Sequence, residues 1–301
     1  MKKVTTPAQV RKAINKAQGK GLSVGLVPTM GALHEGHESL VRMSLDETDF
    51  TVVSIFVNPV QFGSDEDLAT YPRSLDDDTL ILEKLGVDLL FAPEVTSIYS
   101  GEEATEFRVE GLGDRLCGAT RPGHFQGVLL VVAKLFNMVR PDFAFFGQKD
   151  AQQAVIIQRM VADLDFPVRI RLGHTVRESD GLAMSSRNAH LNGNERKSAV
   201  ALSRGLRLAF EKAKGGERDA GVIMDVVRSS MESGGFDVDY CEVVSGMDLK
   251  RLERLEGTVL FAAAGRLGKT RLIDNISLRI KGESVTEAVL EFPEWSRYEW
   301  K

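Results

Sequence analysis

Up to about Thr175, short unbroken apolar runs alternate with longer stretches whose apolar positions recur every three or four residues. The runs at 22–27, 51–57, 89–92, 142–146 and 168–172 are rich in β-branched and aromatic side chains and too short for helices, so they predict strands buried on both faces. Between them the periodic stretches predict helices. The first opens with Thr6 as N-cap and Pro7 at the first helical position, and puts Val10 and Ile14 on one face. Others are expected over 36–47, over 76–85 with Gly86 as the stop, over 128–139 ahead of Pro141, and over 151–164. Alternating strand and helix is the signature of βαβ units, hence of a parallel sheet covered by helices. The fold class implied is α/β, with a Rossmann-like parallel-sheet domain.

The texture then changes. A loop of small and polar residues, RESDGLAMSSRNAHLNGNE, leads to a helix over 196–214, a Gly215-Gly216 break, and a second helix over 220–231. Strand-like runs at 238–244, 258–264 and 270–276, separated by turns, predict a small antiparallel sheet. We therefore expect residues 1–176 to form the parallel-sheet domain, 177–280 a smaller C-terminal α+β domain that closes over it, and 281–301 an extension. Both tryptophans, Trp295 and Trp300, lie in that extension, where Phe292, Trp295 and Tyr298 recur at three-residue spacing. Either they pack as a short helical turn on the body, or the segment frays as termini do. Every candidate site residue precedes it, so truncation after Ile280 is expected to spare activity.

Composition narrows the function. The 301 residues are 43% hydrophobic and 27% charged, ordinary for a globular chain, and the net charge of -5 speaks against broad nucleic-acid binding, which needs a surplus of cations. No apolar run nears membrane-spanning length and the basic N-terminus lacks an apolar leader core, so no membrane partner is expected and the chain is placed in the cytoplasm. Cys117 and Cys241 stand far apart without CxxC spacing, which argues against a disulfide framework or a cysteine-based zinc site.

Candidate chemistry concentrates in four segments. In PTMGALHEGHESLV a strand ends, Gly31 permits a close turn, and a helix starts near Gly36, so backbone N–H groups and the positive end of the helix dipole would meet an anion. His34 and His37, three residues apart, would reach that same point. A zinc pair is the weaker reading, because no further His or Cys stands at ligand spacing nearby, and no metal site is expected in the protein itself. FVNPVQF puts the amides of Asn58 and Gln61 at the carboxyl end of the second strand, where open α/β sheets bind ligands. Turn chemistry around Pro59 accounts for Asn58 well and for Gln61 less well. FFGQKDAQQ offers Gly147 to free the turn, Lys149 as a mobile cation, Asp150 as a helix cap or a ligand, and Gln153 one turn into the helix. AMSSRN presents Ser185, Ser186 and Arg187 on the loop between the two domains, suited to clamp a triphosphate. GRLGKT at 265–270 ends like a phosphate-binding loop, but residue 263 is Ala263 and the residues after it read as strand, so it is a hairpin turn.

The HxGH pattern resembles the signature of the nucleotidyltransferase superfamily. With FVNPVQF, RPGHFQGV, FGQKDAQQ, the MSSRN loop and GKTRLIDNI appearing after it in order, the chain from about residue 3 to residue 280 resembles the pantoate-β-alanine ligase (pantothenate synthetase) family. The resemblance implies that pantoate and MgATP give pantoyl adenylate and pyrophosphate, and that β-alanine then displaces AMP. It implies that Met30, Gly31, Ala32, Leu33, His34, Glu35, Gly36 and His37 line the ATP site. Gly147, Gln148, Lys149, Asp150, Val176, Met184, Ser185, Ser186 and Arg187 would bind the same nucleotide. His37, His34, Lys149 and Arg187 are then the catalytic set, and Gln61, Gln153 and Asn58 face the substrates, Gln61 also lying near β-alanine. Mg²⁺ enters with ATP, and a homodimer is implied. One departure is Gln148, where many relatives carry an acid. The rival readings are a cytidylyl- or adenylyltransferase of the same superfamily, which the amide-rich segments fit less well, and a tRNA-binding relative, which the acidic balance disfavours.

Overall fold

The computed structural model describes residues 1–63, 68–101 and 104–292, so the two tryptophans of the extension lie outside the described residues. Six parallel strands form the larger sheet: β1 (Lys2–Val4), β2 (Val24–Thr29), β3 (Phe50–Ile55), β4 (Leu89–Phe91), β5 (Phe143–Gly147) and β6 (Arg169–Gly173), in the order β1-β4-β3-β2-β5-β6. From β2 the chain builds outward to one side through β3 and β4, and then to the other through β5 and β6. The strand order therefore reverses between β2 and β5, and their carboxyl ends open a crevice there.

The helices of this unit are α1 (Pro7–Gln18), α2 (Glu35–Glu47), α3 (Leu75–Leu85), the single-turn α4 (Val95–Ile98) and α5 (Cys117–Thr120), α6 (His124–Val139) and α7 (Ala151–Asp163). They cover both faces. Val24, Leu26, Val52, Leu89 and Phe91 pack with Val10 and Ile14 of α1 and with Val128, Leu129, Val132 and Phe136 of α6. On the opposite face Val27, Val53, Leu90 and Phe145 pack with Leu40 and Val41 of α2 and Leu82 of α3. Alternate residues of one strand thus bury in different layers, which is why each run reads as unbroken apolar; each such side chain is worth about 1.5–3 kcal/mol. The strand β1 was not expected, since only Val4 of its three residues is buried and no pattern shows in so short a run. Helix α6 starts at His124, a turn ahead of the expected 128, because its first turn, HFQG, is polar enough to hide the period.

The second unit opens with α8 (Gly193–Lys214), begun by an Asn192–Glu195 capping box, and α9 (Ala220–Ser233). Its antiparallel sheet, in the order β10-β9-β8-β7, consists of β7 (Asp237–Ser245), β8 (Gly257–Leu267), β9 (Thr270–Lys281) and β10 (Ser284–Glu287). The two helices pack on one face through Leu202, Leu206, Ile223 and Val227 against Val243, Val259, Phe261 and Leu278. Leu267 pairs with Thr270, so GRLGKT is the two-residue hairpin turn its sequence predicts. Strand β10 falls inside the supposed extension and was not anticipated. The expected α/β architecture with a smaller α+β unit is what forms. Among the described residues no helix is long and apolar enough to cross a membrane.

The units are joined by specific polar contacts. Arg177, just past β6, holds Asp274 of β9 through two bonds of 2.6 and 3.1 Å, with the Asp274 side chain only 1% exposed. Arg271 of β9 donates to Asp239 of β7 at 2.6 Å and to Thr120 of α5 at 3.3 Å.

Within the larger unit, α6 approaches the 3-10 turn Pro59–Gln61 so closely that a Cβ on Gly127 would lie 2.6 Å from the Val60 carbonyl carbon. Gly127→Ala is therefore expected to destabilise the protein by roughly 1–3 kcal/mol, the scale for forced overpacking. Chemical denaturation measures this, and a change below about 0.5 kcal/mol would show that the turn yields freely.

Candidate active site

The crevice starts with the turn after β2. Gly31 (φ 84) and Ala32 (φ 51) both take left-handed backbone, which is uncommon for a residue with a Cβ. Asp78 of α3, 1% exposed, holds the turn: its carboxylate accepts the Ala32 N–H at 2.9 Å and the Leu33 N–H at 2.8 Å. Gly31, Ala32 and Leu33 thus form the turn that sets the start of α2, and Glu35 is exposed. Met30, His34, Gly36 and His37 do line the cavity.

His34 is the N-cap of α2. The Gly36 N–H donates to His34 Nδ1 at 3.2 Å, and the His34 N–H donates to His37 Nδ1 at 3.3 Å, a reciprocal cap between two imidazoles whose centroids are 4.1 Å apart. Because each Nδ1 accepts, each neutral ring carries its proton on Nε2. Burial, and then the nearby Lys149 ammonium, lower the pKa of His34; burial, and then His34, push that of His37 down to about 3. Near neutral pH the pair is therefore two oriented N–H donors, not two cations.

Asn58, expected to touch substrate, lines the smaller cavity and is also bonded within the protein. It is 1% exposed; its Nδ2 donates to Gln61 Oε1 at 2.9 Å and to the Gly127 carbonyl at 3.1 Å, and its Oδ1 accepts from the Tyr99 hydroxyl at 2.8 Å. Its effect is to orient Gln61. With Oε1 occupied, Gln61 presents Nε2 toward Met30 Sδ, 3.4 Å away, as a donor in the cavity wall.

After β5 the segment divides in two directions. Gly147 has ordinary extended backbone, and a Cβ there would meet nothing within 4 Å, so its missing side chain leaves room and is not needed for the turn. The Gln148 side chain, expected at ATP, is turned away and buried: Nε2 donates to Asn275 Oδ1 at 3.1 Å, and Oε1 accepts the Leu290 N–H at 3.0 Å. Lys149, Asp150 and Gln153 face the crevice. Asp150 precedes α7 but makes no side-chain cap bond, so its exposed carboxylate is not engaged by capping.

The loop after β6 supplies the rest. Met184 N–H donates to the Val176 carbonyl at 3.0 Å, which folds the loop back on itself, and both residues line the smaller cavity. Ser186 Oγ lies 3.3 Å from the Tyr71 hydroxyl, and the Arg187 guanidinium sits 5.9 Å from the Tyr71 ring. Arg196 of α8 anchors the loop through Glu178 at 2.6 Å and Asp180 at 2.7 Å.

Two cavities result, of about 230 and 1080 Å³. The smaller is lined by Phe56, Val128, Val131, Val132 and Leu135 together with His34, His37 and Gln61. The larger opens between the units, and the two share a wall made by Lys149, Asp150, Gln153, Ser185 and Arg187, with Arg121 and His124. Sequence reasoning missed Asp78, hidden as the last of three acids at a helix start, and Tyr71. It also missed Thr175, whose hydroxyl is buried at the smaller cavity with no partner among the described residues. Among the described residues no group of three or more His, Cys, Asp or Glu side chains is set to hold a metal ion.

A histidine pair capping α2, at the switch point of a parallel sheet, is the arrangement that the HxGH resemblance implies. The family model described as pantoate-beta-alanine ligase matches residues 2–277, and the chain belongs to that family. The pantothenate synthetase of Moorella thermoacetica is 50% identical over 281 residues, 93% of this chain and 99% of the relative. The crystal structure of the Thermus thermophilus pantothenate synthetase superposes with a TM-score of 0.87 at 44% identity, over 91% of this chain and 98% of that one. The Francisella tularensis pantoate-beta-alanine ligase, solved in complex with beta-gamma ATP and beta-alanine, gives a TM-score of 0.77 at 33% identity, over 91% and 97% of the two chains.

The depressed His37 pKa has a testable sign. Below its ordinary value of 6.5 an unfolded His37 takes up a proton that the folded one refuses until about pH 3, so stability is lost as pH falls through that window. In NMR titrations of the free protein His37 should stay neutral down to at least about pH 5, and His37→Gln should flatten the acid dependence of stability. A His37 midpoint near its ordinary value would show that the ring is solvated.

Proposed function

We propose that this ligase joins pantoate to β-alanine through an enzyme-bound pantoyl adenylate, releasing pyrophosphate and then AMP. The observation that carries the reading is the shared wall: a small cavity lined by apolar side chains and an amide donor opens beside two neutral imidazoles into a larger cavity that also contains Lys149 and Arg187. The apolar residues and the Gln61 amide of the small cavity suit a branched chain with hydroxyls, and its His34, His37, Val176, Met184 and Ser186 suit a nucleotide that reaches the shared wall.

In the first step a carboxylate oxygen of pantoate attacks the α-phosphorus and the bond to the bridging oxygen of pyrophosphate breaks. Two anions approach each other, so repulsion dominates the barrier. The Nε2–H groups of His34 and His37 and the N-terminus of α2 are fixed donors for the charge that develops on phosphate oxygens. Lys149 and Arg187 supply full positive charge from side chains that line both cavities. Gln61 and Gln153 hold pantoate, and Val176, Met184, Ser185 and Ser186 hold the nucleotide. Mg²⁺ fits this donor set as a partner of the triphosphate: Asp150 is an acid on the shared wall, and that ion binds through one or two carboxylates plus phosphates. When bound it neutralises phosphate charge. In the second step the β-alanine amine attacks the acyl carbonyl carbon and AMP departs. Sequestering the labile adenylate gives the second unit its purpose. The working form is a homodimer, which the family resemblance supports, and it acts in the cytoplasm, where the hydropathy of the sequence places it.

A cytidylyl- or adenylyltransferase acting on a phosphorylated substrate fits less well, because away from the cations of the shared wall the small cavity offers Phe56, Val128, Val131, Val132, Leu135 and the Gln61 amide. Isotope exchange between ATP and pyrophosphate separates the two: pantoate alone should support it, with AMP accumulating only once β-alanine is added. A requirement for β-alanine in the exchange would sink the two-step reading. His37→Ala and Lys149→Ala should each lower exchange by about two orders of magnitude, the scale for removing a transition-state charge contact. Arg187→Ala should weaken MgATP binding and adenylation while leaving attack of β-alanine on preformed pantoyl adenylate largely intact. Equal loss in both steps would assign Arg187 to folding instead.

A further inference from the structure

The family match ends at residue 277, yet the described chain continues to 292 in defined contact with the body. Ser284–Glu287 adds β10 to the edge of β9. The chain then turns inward: the Ala288 N–H donates to the Ser277 carbonyl at 3.0 Å, and the Ser277 hydroxyl donates to the Ala288 carbonyl. Two residues on, Leu290 is 3% exposed and shares a cluster with Ala151 and Val155 of α7 and with Leu260 and Ala262 of β8. It sits so close to Gly246 that a Cβ there would lie 2.6 Å from Leu290 Cδ2.

The polar contacts made at this point lead to the active site. The Leu290 N–H donates to Gln148 Oε1 at 3.0 Å, and Gln148 Nε2 donates to Asn275 Oδ1 at 3.1 Å. The Asn275 Nδ2 then donates back to the carbonyls of Gln148, at 3.0 Å, and of Lys149, at 2.9 Å. Gln148 is 5% exposed and Asn275 likewise 5%. Only a neutral side chain that both accepts and donates can stand between the Leu290 N–H and the Asn275 carbonyl oxygen, which is the role of glutamine here. An acid at this position would set a carboxylate against Asn275 Oδ1 in a buried site.

We propose that residues 284–292 are a strap that positions Lys149 for adenylation, acting through Leu290, Gln148 and Asn275. Gln148 and Leu290 are positioning residues, since neither has a side-chain atom free to reach a substrate. Through Gln148 the strap buttresses Asn275 of β9, which holds the carbonyl of Lys149. This reverses the expectation that everything after Ile280 is dispensable for activity.

The proposal rests on Lys149 serving ATP, so the test has one arm that measures activity and one that does not. A chain ending at Gly282, Gln148→Leu, and the combination of the two would be compared with the full chain below the melting temperature of each. In ATP–pyrophosphate exchange the truncation and Gln148→Leu should each lower kcat/KM for MgATP by about tenfold and leave KM for pantoate within about twofold, as expected when one charged group is misplaced. The combined variant should be no worse than either alone, because both break the same chain of contacts. In hydrogen–deuterium exchange, amides over 147–153 should exchange faster in all three variants than in the full chain, and those of β2 should not. Unchanged kinetics in the truncated chain, proportional loss toward both substrates, additive losses, or unchanged amide exchange over 147–153 would each overturn the strap. A full chain that shows no pantoate-dependent exchange at all would refute the proposed function instead, and the amide measurement would still decide the strap.

Discussion

The crevice depends first on a carboxylate whose work is to hold backbone. A chain leaving β2 at the switch point must reverse within a few residues to start α2 with its N-terminus in the crevice, and it does so through two consecutive left-handed residues, Gly31 and Ala32. Glycine adopts that backbone freely, alanine only at a cost of about 1–2 kcal/mol. The two short bonds from Asp78 to the N–H groups of Ala32 and Leu33 offset this cost and satisfy donors that the turn would leave unpaired in a buried place. Everything downstream inherits the geometry: the start of α2, the reciprocal histidine cap, and the direction of both Nε2–H groups.

Fold and site were legible in the sequence to different depths for definable reasons. The central strands announce themselves because both their faces are buried, and α1, with Thr6, Pro7 and a Gln9 that completes the capping box, carries its own start signal. The strands β1 and β10 are short and sit at sheet edges, so neither periodicity nor composition marks them. At the site, the residue types were readable but the directions of their side chains were not. Asn58 and Gln61 look alike in FVNPVQF, and only the approach of α6 at Gly127 and the hydroxyl of Tyr99 decide that the first holds and the second presents. Gln148 and Lys149 are neighbours in a 3-10 turn whose side chains leave in different directions, one toward β9 and one toward the crevice. Asp78 was invisible because its partners are backbone atoms 45 and 46 residues away.

Positive charge and hydrogen-bond donors are distributed over this site according to what burial permits. Imidazoles as deep as His34 and His37 could hold a proton beside Lys149 only against desolvation and like-charge repulsion, and their lowered pKa values say that they do not. Neutral rings held by backbone bonds avoid that cost and still offer fixed dipoles to a phosphate, with no reorganisation when charge develops. Full charges sit instead on Lys149 and Arg187, in half-buried turns on the wall that the two cavities share. Both loops are tied to the second unit or its approach: the Lys149 carbonyl to Asn275, and the Arg187 loop to α8 through Glu178 and Asp180. The parallel sheet therefore sets the donors that must not move. The second unit, through Asn275 of β9 and Arg196 of α8, holds the turns that carry the two cations.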